Sequence, residues 1–225
     1  MRRFLVIEHD RDAPAGQLSG WAAGRGLAPC TVRLHAGQPL PEAVTGGAFH
    51  AAVVLGSEQT AYDDGVPWLA AELELLRRLI GAQVPVLGIC FGGQVLARVL
   101  GARLYRLPRP EIGLIQVDSR SPALATGPWP SWHRDAFGLP PGALALAAND
   151  VCLQAFAAGP HLGLQFHPEA TEPIMASWLA SAAAPASGDM TGPLIGEAAG
   201  PAWEQAAGHA ATLFDAWLDG RLAPR

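Results

Sequence analysis

Apolar residues occur in short continuous runs through the first half of the chain, and stretches of helical periodicity separate these runs. The runs at residues 4–7, 31–34, 51–55 and 84–89 predict buried strands. Apolar positions spaced three and four residues apart predict a helix over residues 67–80. Strands that alternate with helices are typical of a covered parallel sheet. We therefore predict an α/β fold with a mostly parallel central sheet flanked by helices.

The pattern changes between about residues 103 and 166, where short candidate strands are joined by turns. Short strands with this spacing are typical of antiparallel pairing. We expect antiparallel additions to the sheet at residues 114–117, 143–147, 153–157 and 162–166.

The chain is predicted to form one domain over residues 1–182, followed by a loop over residues 183–201 that is rich in Ala, Gly, Ser and Pro. A final helix is predicted over residues 202–220, because apolar residues repeat there at helical spacing. These residues are Trp203, Ala207, Ala210, Phe214 and Trp217. We expect this helix to dock on the same domain; the alternative is a helix that binds a partner.

The composition narrows the class of protein. Half of the residues are hydrophobic and 16% are charged, which allows a sizeable core. The net charge of -5 and the pI near 5.8 disfavour a nucleic-acid binder. All fifteen basic residues are arginines, and the absence of lysine excludes Schiff-base catalysis, a lysine base and a lysine-containing P-loop.

The spacing of the cysteines and the length of the apolar runs indicate where in the cell the protein is located. The first ten residues contain a short apolar run closed by charge, unlike a signal peptide, and no run approaches the roughly 18 apolar residues of a membrane helix. Cys30, Cys90 and Cys152 are widely spaced and form no disulfide framework. We expect a cytoplasmic protein with free thiols, without membrane contact.

Cys90 has the most informative context of the three cysteines. It lies between the strand at residues 84–89 and a helix predicted over residues 92–100, with Gly88 and Gly92 beside it. A nucleophile at such a junction occupies a sharp turn that exposes its side chain at the carboxyl edge of the sheet. The two glycines allow the backbone to approach closely across this turn.

The helix that follows Cys90 would present its N-terminus to the sulfur, and its dipole and free N–H groups favour a thiolate. The N–H of Phe91 could stabilise an oxyanion on an attacked carbonyl group. The alternative is that Cys90 is a small buried hydrophobe, as isolated cysteines usually are. Cys30 and Cys152 lack this context and are interpreted as structural.

A base and a group that orients it are both present near the end of the candidate strand at residues 162–166. His167 follows this strand, Pro168 stiffens the turn and Glu169 lies two residues further on. A carboxylate so placed can fix the tautomer of the imidazole, which would deprotonate Cys90 and later protonate ammonia. An ordinary surface turn is the alternative.

A second cluster of polar residues occupies positions 131–135 and includes His133, Arg134 and Asp135. A His two residues from an Asp could be a catalytic pair or part of a metal site, but further ligands at recognisable spacing are lacking. We therefore predict no metal site and no cofactor. We interpret the segment as a substrate-binding loop, with a plain surface loop as the alternative.

Together these residues resemble the class I (triad) glutamine amidotransferases, among them the glutaminase domain of GMP synthase. The family has a Gly-x-Cys-x-Gly motif at its nucleophile and a His-Pro-Glu motif, as at Cys90 and His167 here. The segments that begin at Gly56, Glu111 and Trp132 also resemble family segments. The likeness covers about residues 45–170, and the combination of motifs is more specific than any one of them.

The resemblance implies a flavodoxin-like fold with a nucleophile elbow. It also implies hydrolysis of the side-chain amide of glutamine through a γ-glutamyl thioester on Cys90. In that scheme His167 is the base and Glu169 orients it. The oxyanion donors would be the N–H groups of Phe91 and of the turn at Gly56 and Ser57.

The resemblance further implies that Gln94 and the segment of His133 and Asp135 hold the substrate. Two positions depart from the family pattern. Ser57 and Glu58 stand where a second glycine and a proline are usual, and a positive φ at Ser57 would be strained. Arg134 replaces the glycine of the Trp-His-Gly-Asp motif, and its charge could change which γ-glutamyl compound is accepted.

Family members normally pass ammonia to a synthetase, and the sequence shows no nucleotide-binding loop for one. Three interpretations stay open. The first is a glutaminase that works with a separate ammonia-accepting synthetase. The second is a γ-glutamyl hydrolase or peptidase that needs no partner. The third is a non-catalytic binding protein on the same fold, which the combination of Cys90, His167 and Glu169 disfavours.

Overall fold

The computed structural model describes residues 2–42, 47–181, 190–191 and 199–222, with residues 190–191 described by their backbone alone. The loop predicted over residues 183–201 lies almost wholly outside the described residues. The strands are β1 Arg2–Glu8, β2 Leu27–Arg33, β3 Ala51–Val54, β4 Val86–Ile89, β5 Leu104–Ile115, β6 Asp118–Ser119, β7 Trp129–Phe137, β8 Leu144–Ala148, β9 Leu153–Ala158, β10 His161–Leu164 and β11 Met190–Thr191. The helices are α1 Gln17–Gly24, α2 Leu69–Gly81, α3 Phe91–Val99, α4 Glu172–Ser181 and α5 Gly200–Leu218.

The larger sheet has the strand order β2-β1-β3-β4-β10-β9-β8-β6. Its strands from β2 to β10 pair in parallel. The strands β9, β8 and β6 extend it by antiparallel pairing. The predicted α/β class with a mostly parallel sheet is confirmed, and the segments 143–147 and 153–157 extend the sheet by antiparallel pairing as predicted. Leu114 and Ile115 instead belong to a second, smaller sheet, and β10 pairs in parallel with β4 as well as antiparallel with β9.

Alternate residues of β1 enter different cores, because successive side chains of a strand point to opposite faces of the sheet. Phe4 and Val6 belong to the core that includes α1 and α5. Leu5 and Ile7 belong to the core that includes α2 and α3. Burial on both faces explains why these strands are continuous apolar runs in the sequence.

The C-terminal helix α5 packs against α1. The ring centroids of Trp21 and Phe214 are 5.3 Å apart. The indole N–H of Trp21 donates to an Asp215 carboxylate oxygen at 2.9 Å. Leu213, Phe214 and Trp217 are buried in the same core as Phe4. None of the described helices is long and apolar enough to cross a membrane.

A smaller sheet, with the order β11-β5-β7, places the segment 131–135 differently from the prediction. This segment is not a loop but the middle of strand β7, where Trp132 pairs with Ile112 and His133 pairs with Glu111. The partner strand β5 lies about twenty residues earlier in the sequence. The polar side chains of segment 131–135 enter a buried network. The usual sign of a strand, apolar alternation, is therefore weak in the sequence.

Candidate active site

Cys90 forms a sharp turn between β4 and α3. β4 ends at Ile89 and α3 begins at Phe91, so Cys90 alone connects them. Its φ is 51° and its ψ is -109°. Such a conformation costs a non-glycine residue about 1–3 kcal/mol and marks functional turns in other folds. The N–H of Cys90 donates to Leu164 O at 2.8 Å, which ties the turn to β10.

Gly88 and Gly92 are required by the close packing around this turn. A Cβ atom on Gly92 would lie 2.0 Å from Val54 O, and one on Gly88 would lie 2.4 Å from Gly92 O. The N–H of Gly92 donates to Leu55 O at 3.2 Å, so the backbones of α3 and β3 are in direct contact. No larger residue fits at either position without displacing backbone.

His167 and Glu169 form a buried pair after β10. The Nδ1 atom of His167 lies 2.7 Å from Glu169 Oε1. The backbone N–H of His167 donates to Pro130 O at 2.7 Å, and its ring packs edge-on against Trp178 at 4.9 Å between centroids. Among the described residues, His167 Nε2 has no hydrogen-bond partner. One nitrogen is thus held by a carboxylate and the other is available.

Gly56 brings the ring of His167 and the side chain of Cys90 together. A Cβ atom on Gly56 would lie 3.0 Å from His167 Cε1 and 3.9 Å from Cys90 Cβ. The thiol of Cys90 lies 3.7 Å from Trp132 O, at the edge of the same cavity. A side chain at position 56 would therefore occupy the space between the base and the nucleophile.

The electrostatics of the pair favour a charged imidazole. Burial opposes the charged form, but the charges of Glu169 and Cys90 and the hydrogen bond to Glu169 raise the pKa of His167 well above its ordinary value. A positive His167 beside Cys90 is the arrangement that stabilises a thiolate.

The turn that begins at Gly56 also lines the cavity. Ser57 Oγ accepts a hydrogen bond from the N–H of Gln59 at 3.1 Å, and the N–H of Glu58 donates to Asp10 Oδ2 at 2.8 Å. Of the described non-glycine residues, only Gln83 and Cys90 have a positive φ. Ser57 is thus accommodated without the left-handed backbone that a glycine would have allowed.

Gln94 and Asp135 are joined to each other as well as to the cavity. The amide nitrogen of Gln94 donates to Asp135 O at 2.9 Å and to Gln165 Oε1 at 3.4 Å. The carboxylate of Asp135 accepts hydrogen bonds from Tyr62 at 3.1 Å and from Thr60 at 3.4 Å. These bonds position the backbone of β7 against α3 at the predicted substrate site.

The side chain of His133 turns into a buried network centred on Glu111. His133 Nε2 lies 2.9 Å from Glu111 Oε2, and His133 Nδ1 lies 3.0 Å from Asp135 O. The carboxylate of Glu111 also accepts hydrogen bonds from Asn149 at 2.7 Å, Gln154 at 2.8 Å and Ser131 at 3.2 Å. The network locks β5 and β7 to the loop before β9.

Glu111, His133 and Cys152 are close enough to hold a metal ion, since one ligand atom from each lies within 4.8 Å of the others. Burial would raise the pKa of Glu111, but hydrogen bonds and charge from His133 hold it below its ordinary value. Burial and the charge of Glu111 raise the pKa of the Cys152 thiol. The carboxylate of Glu111 is engaged by four side-chain hydrogen bonds, which indicates a structural network at this cluster.

The cavity above Cys90 has a volume of about 610 Å³. Asp10, Asp12 and Glu58 lie on its acidic wall, and Arg106 and Arg134 supply positive charge. A volume of this size is in the range of roughly 300–1,000 Å³ that small-molecule sites have.

Sequence patterns did not identify several residues that shape the site. Asn149 and Gln154 join the Glu111 network, and Trp178 packs on His167 from the unpredicted helix α4. A third buried pair, His9 and Glu72, lies behind the turn at Gly56. A polar residue at a buried position, such as Glu72 on the apolar face of α2, was the available signal.

Comparison with known proteins identifies the family. The family model described as glutamine amidotransferase class-I matches residues 49–179. The chain belongs to this family. It is 32% identical over 165 residues to the glutamine amidotransferase-like protein YfeJ of Salmonella typhimurium, with 68% of each chain covered. It is also 32% identical over 148 residues to the glutamine-hydrolysing GMP synthase of Aeropyrum pernix, of which it spans 29% of the length.

Solved structures show the same fold over almost the whole chain. The glutamine amidotransferase of Methylobacillus flagellatus has a TM-score of 0.83 at 22% identity and covers all of this chain and 97% of its own. A glutamine amidotransferase of Thermotoga maritima has a TM-score of 0.78 at 25% identity, with 97% and 98% covered. The flavodoxin-like class I amidotransferase fold that the motifs implied is confirmed.

Proposed function

We propose that the protein hydrolyses the side-chain amide of glutamine through a γ-glutamyl thioester on Cys90 and releases ammonia for an acceptor. The observation that carries this proposal is the arrangement of Cys90, His167 and Glu169. A cysteine on a strained strand-to-helix turn lies beside a histidine whose other nitrogen is held 2.7 Å from a buried carboxylate. Membership of the class I family supports the same reaction.

The catalytic roles of Cys90, His167 and Glu169 follow from where the transferred proton lies at each step. His167 Nε2 takes the proton of the Cys90 thiol, and the sulfur attacks the side-chain carbonyl carbon of glutamine. The carbon–nitrogen bond of the tetrahedral adduct breaks as His167 returns the proton, so ammonia leaves and a thioester remains. Water then gives a proton to His167 and attacks the thioester, which yields glutamate and the free thiol. Glu169 stabilises the charged imidazole at each stage.

Two backbone N–H groups support the oxyanion of each tetrahedral adduct. The N–H of Phe91 is at the N-terminus of α3, where helix geometry leaves it without an intrahelical acceptor. The N–H of Ser57 lies in the turn that faces Cys90 across Gly56. Gln94, His133 and Asp135 position the substrate side of the cavity.

The proposal is tested by incubation of the purified protein with glutamine and measurement of ammonia. We expect wild-type turnover and its loss on Cys90→Ala. A glutamine analogue with a thiol-reactive group should label Cys90 and spare Cys30 and Cys152. Absence of turnover with glutamine and with all γ-glutamyl compounds, with and without candidate acceptor proteins, would contradict the proposal.

The ammonia acceptor is proposed to be a separate synthetase. One of the relatives is a single subunit of the glutamine-hydrolysing GMP synthase of Ignicoccus hospitalis, which is 37% identical over 95 residues. A chain of this family can therefore be one part of a larger enzyme. A reducing compartment such as the cytoplasm would keep Cys90 a free thiol.

A γ-glutamyl hydrolase is the second candidate, and the size of the cavity favours it. A volume of about 610 Å³ leaves space beyond a bound glutamine. The same thioester chemistry would release an amine in place of ammonia. Comparison of kcat/KM for glutamine and for γ-glutamyl peptides and amines separates the candidates, because a strong preference for a conjugate would exclude an ammonia-transfer role.

A further inference from the structure

A buried histidine–glutamate pair supports the turn at Gly56 from the side opposite the cavity. His9 follows β1, and Gly56 follows the neighbouring parallel strand β3. His9 Nδ1 lies 3.1 Å from Gly56 O, and His9 Nε2 lies 2.8 Å from Glu72 Oε1. The side chains of His9 and Glu72 are both fully buried. They do not line the cavity, so neither can touch the substrate.

The contacts of His9 define its protonation. Gly56 O is an acceptor only, so His9 Nδ1 donates to it, while His9 Nε2 shares a proton with the carboxyl group of Glu72. The ring packs against Trp68 and Phe91, with centroid distances of 4.8 Å and 4.9 Å, and these two rings also contact each other at 5.6 Å. Burial would lower the pKa of His9, but the charge and hydrogen bond of Glu72 and the hydrogen bond to Gly56 raise it above its ordinary value. The raised pKa favours the charged form of His9, which lies against two aromatic rings.

The orientation of the Gly56–Ser57 peptide depends on this contact. In a trans peptide the C=O and the N–H point in opposite directions. Because Gly56 O points to His9, the N–H of Ser57 points away from His9. It has no acceptor among the described residues, and Ser57 lines the cavity. A flip of this peptide would turn a carbonyl oxygen, and not an N–H, toward Cys90.

We propose that His9, held in place by Glu72, is a positioning residue that fixes the Gly56–Ser57 peptide with its N–H toward the cavity. The sequence has Ser57 and Glu58 where the family has a second glycine and a proline. The hydrogen bond from His9 restrains the Gly56–Ser57 peptide, and the bonds of Glu58 to Asp10 and of Gln59 to Ser57 restrain the residues that follow. The catalytic part of this inference rests on the proposed function, whereas the effect on the turn does not.

The test compares wild type with His9→Phe, which keeps a ring against Trp68 and Phe91 but removes both ring nitrogens. The double variant His9→Phe/Glu72→Leu also removes the buried carboxylate, so it guards against a failure to fold. A matched control is His161→Phe, which alters another buried histidine far from this turn.

Loss of one oxyanion donor lowers kcat by about 10²–10³-fold, and we expect this loss for both His9 variants with KM within about threefold. Alkylation of Cys90 by iodoacetamide forms no oxyanion, so its rate should stay within about threefold. A kcat close to that of wild type, a change confined to KM, or a parallel fall in the alkylation rate would each overturn the inference.

A measurement on the turn itself separates this inference from the proposed function. The N–H of Glu58 donates to Asp10 Oδ2 and the N–H of Gln59 donates to Ser57 Oγ, so the hydrogen exchange of these two groups reports how firmly the turn is held. We expect faster exchange there in both His9 variants, but not in His161→Phe. If wild type hydrolyses no γ-glutamyl compound, the proposed function fails while the exchange rates still decide the role of His9. Unchanged exchange would overturn it.

Discussion

Two histidine–glutamate pairs lie on either side of Cys90 and differ in what their remaining atoms contact. The His167–Glu169 pair has a distance of 2.7 Å and the His133–Glu111 pair has one of 2.9 Å, and all four side chains are buried. His167 keeps one ring nitrogen without a partner among the described residues. The second ring nitrogen of His133 is bound to Asp135 O.

The carboxylates of the two pairs also differ in how many hydrogen bonds they accept. Glu169 Oε2 has no hydrogen-bond partner among the described residues, whereas Glu111 accepts hydrogen bonds from four side chains. A pair that uses all of its hydrogen-bonding atoms can hold strands together, but it cannot take a proton from a thiol. The second ring nitrogen therefore distinguishes the proposed base. That of His167 has no hydrogen-bond partner among the described residues, whereas that of His133 is bound to Asp135 O.

The largest effect should come from removal of the nitrogen that faces Cys90. His167→Asn keeps a donor for Glu169 but removes Nε2, and we expect kcat/KM to fall about 10⁴-fold in an ammonia-release assay. His133→Asn is the matched control: it alters the closed pair on the substrate side of the cavity, and we expect kcat/KM to fall by no more than about tenfold. Equal loss of activity in a folded His133→Asn protein would contradict the comparison.

Glu169→Gln should have a smaller effect on the same step. The amide can still hold the ring, but it does not stabilise the positive charge that His167 acquires, so we expect kcat to fall about 10²-fold. The charge of Glu169 raises the pKa of His167, so the pH profile of kcat should also move to lower pH. A variant with an unchanged kcat and profile would remove Glu169 from the mechanism.

Glu111→Gln should lower the stability of the fold strongly but lower the activity only a little, unlike the two preceding variants. In this variant an amide N–H donor replaces a carboxylate oxygen that accepts hydrogen bonds, so donors face donors in the network. We therefore expect a loss of about 2–3 kcal/mol in the free energy of unfolding by urea. The folded pKa of Glu111 is lowered, so its contribution is present above the unfolded pKa and is lost as pH falls through the folded value. The kcat of the folded variant should stay within about tenfold. Full stability with lost activity would assign Glu111 to catalysis.

The sequence was sufficient for the features that depend on neighbouring residues. The Cys90 turn follows from an apolar run, two glycines and a helix start, and His167 and Glu169 from a strand end. The order of strands and helices in the parallel part follows from apolar runs that are buried on both faces. Ser57 was expected to strain its turn if a positive φ were needed, and the structure shows that it is not.

Features that depend on distant pairing could not be predicted in this way. Segment 131–135 is a strand because β5 pairs with it, and β5 is interrupted between Arg106 and Glu111. The network of Glu111 joins residues from positions 111 to 154, and His9 meets Glu72 across two strands and a helix. No local period signals such contacts, because each polar side chain is an isolated exception to an apolar pattern.

His161 is a buried histidine that, unlike His167 and His133, has no carboxylate beside it among the described residues. It lies in β10 and is 3% exposed, and burial lowers its pKa to about 4. Its Nδ1 has no hydrogen-bond partner among the described residues. The opposite directions for His161 and His167 show that the carboxylate, and not burial, raises the pKa at the site.

This difference predicts the smallest effect, on the pH dependence of stability. An unfolded histidine titrates near pH 6.5, so between that pH and the folded pKa of about 4 the unfolded state binds more protons. Stability should fall as pH falls through this window, by about 1–2 kcal/mol from this residue between pH 7 and pH 5.5. His161→Leu should lose this part of the slope, as measured by urea unfolding at pH 7, 5.5 and 4. Carboxylates titrate equally in both proteins, so the difference between their curves isolates His161. Identical curves would mean that an acidic group outside the described contacts compensates its burial, and burial alone would then not distinguish it from His167.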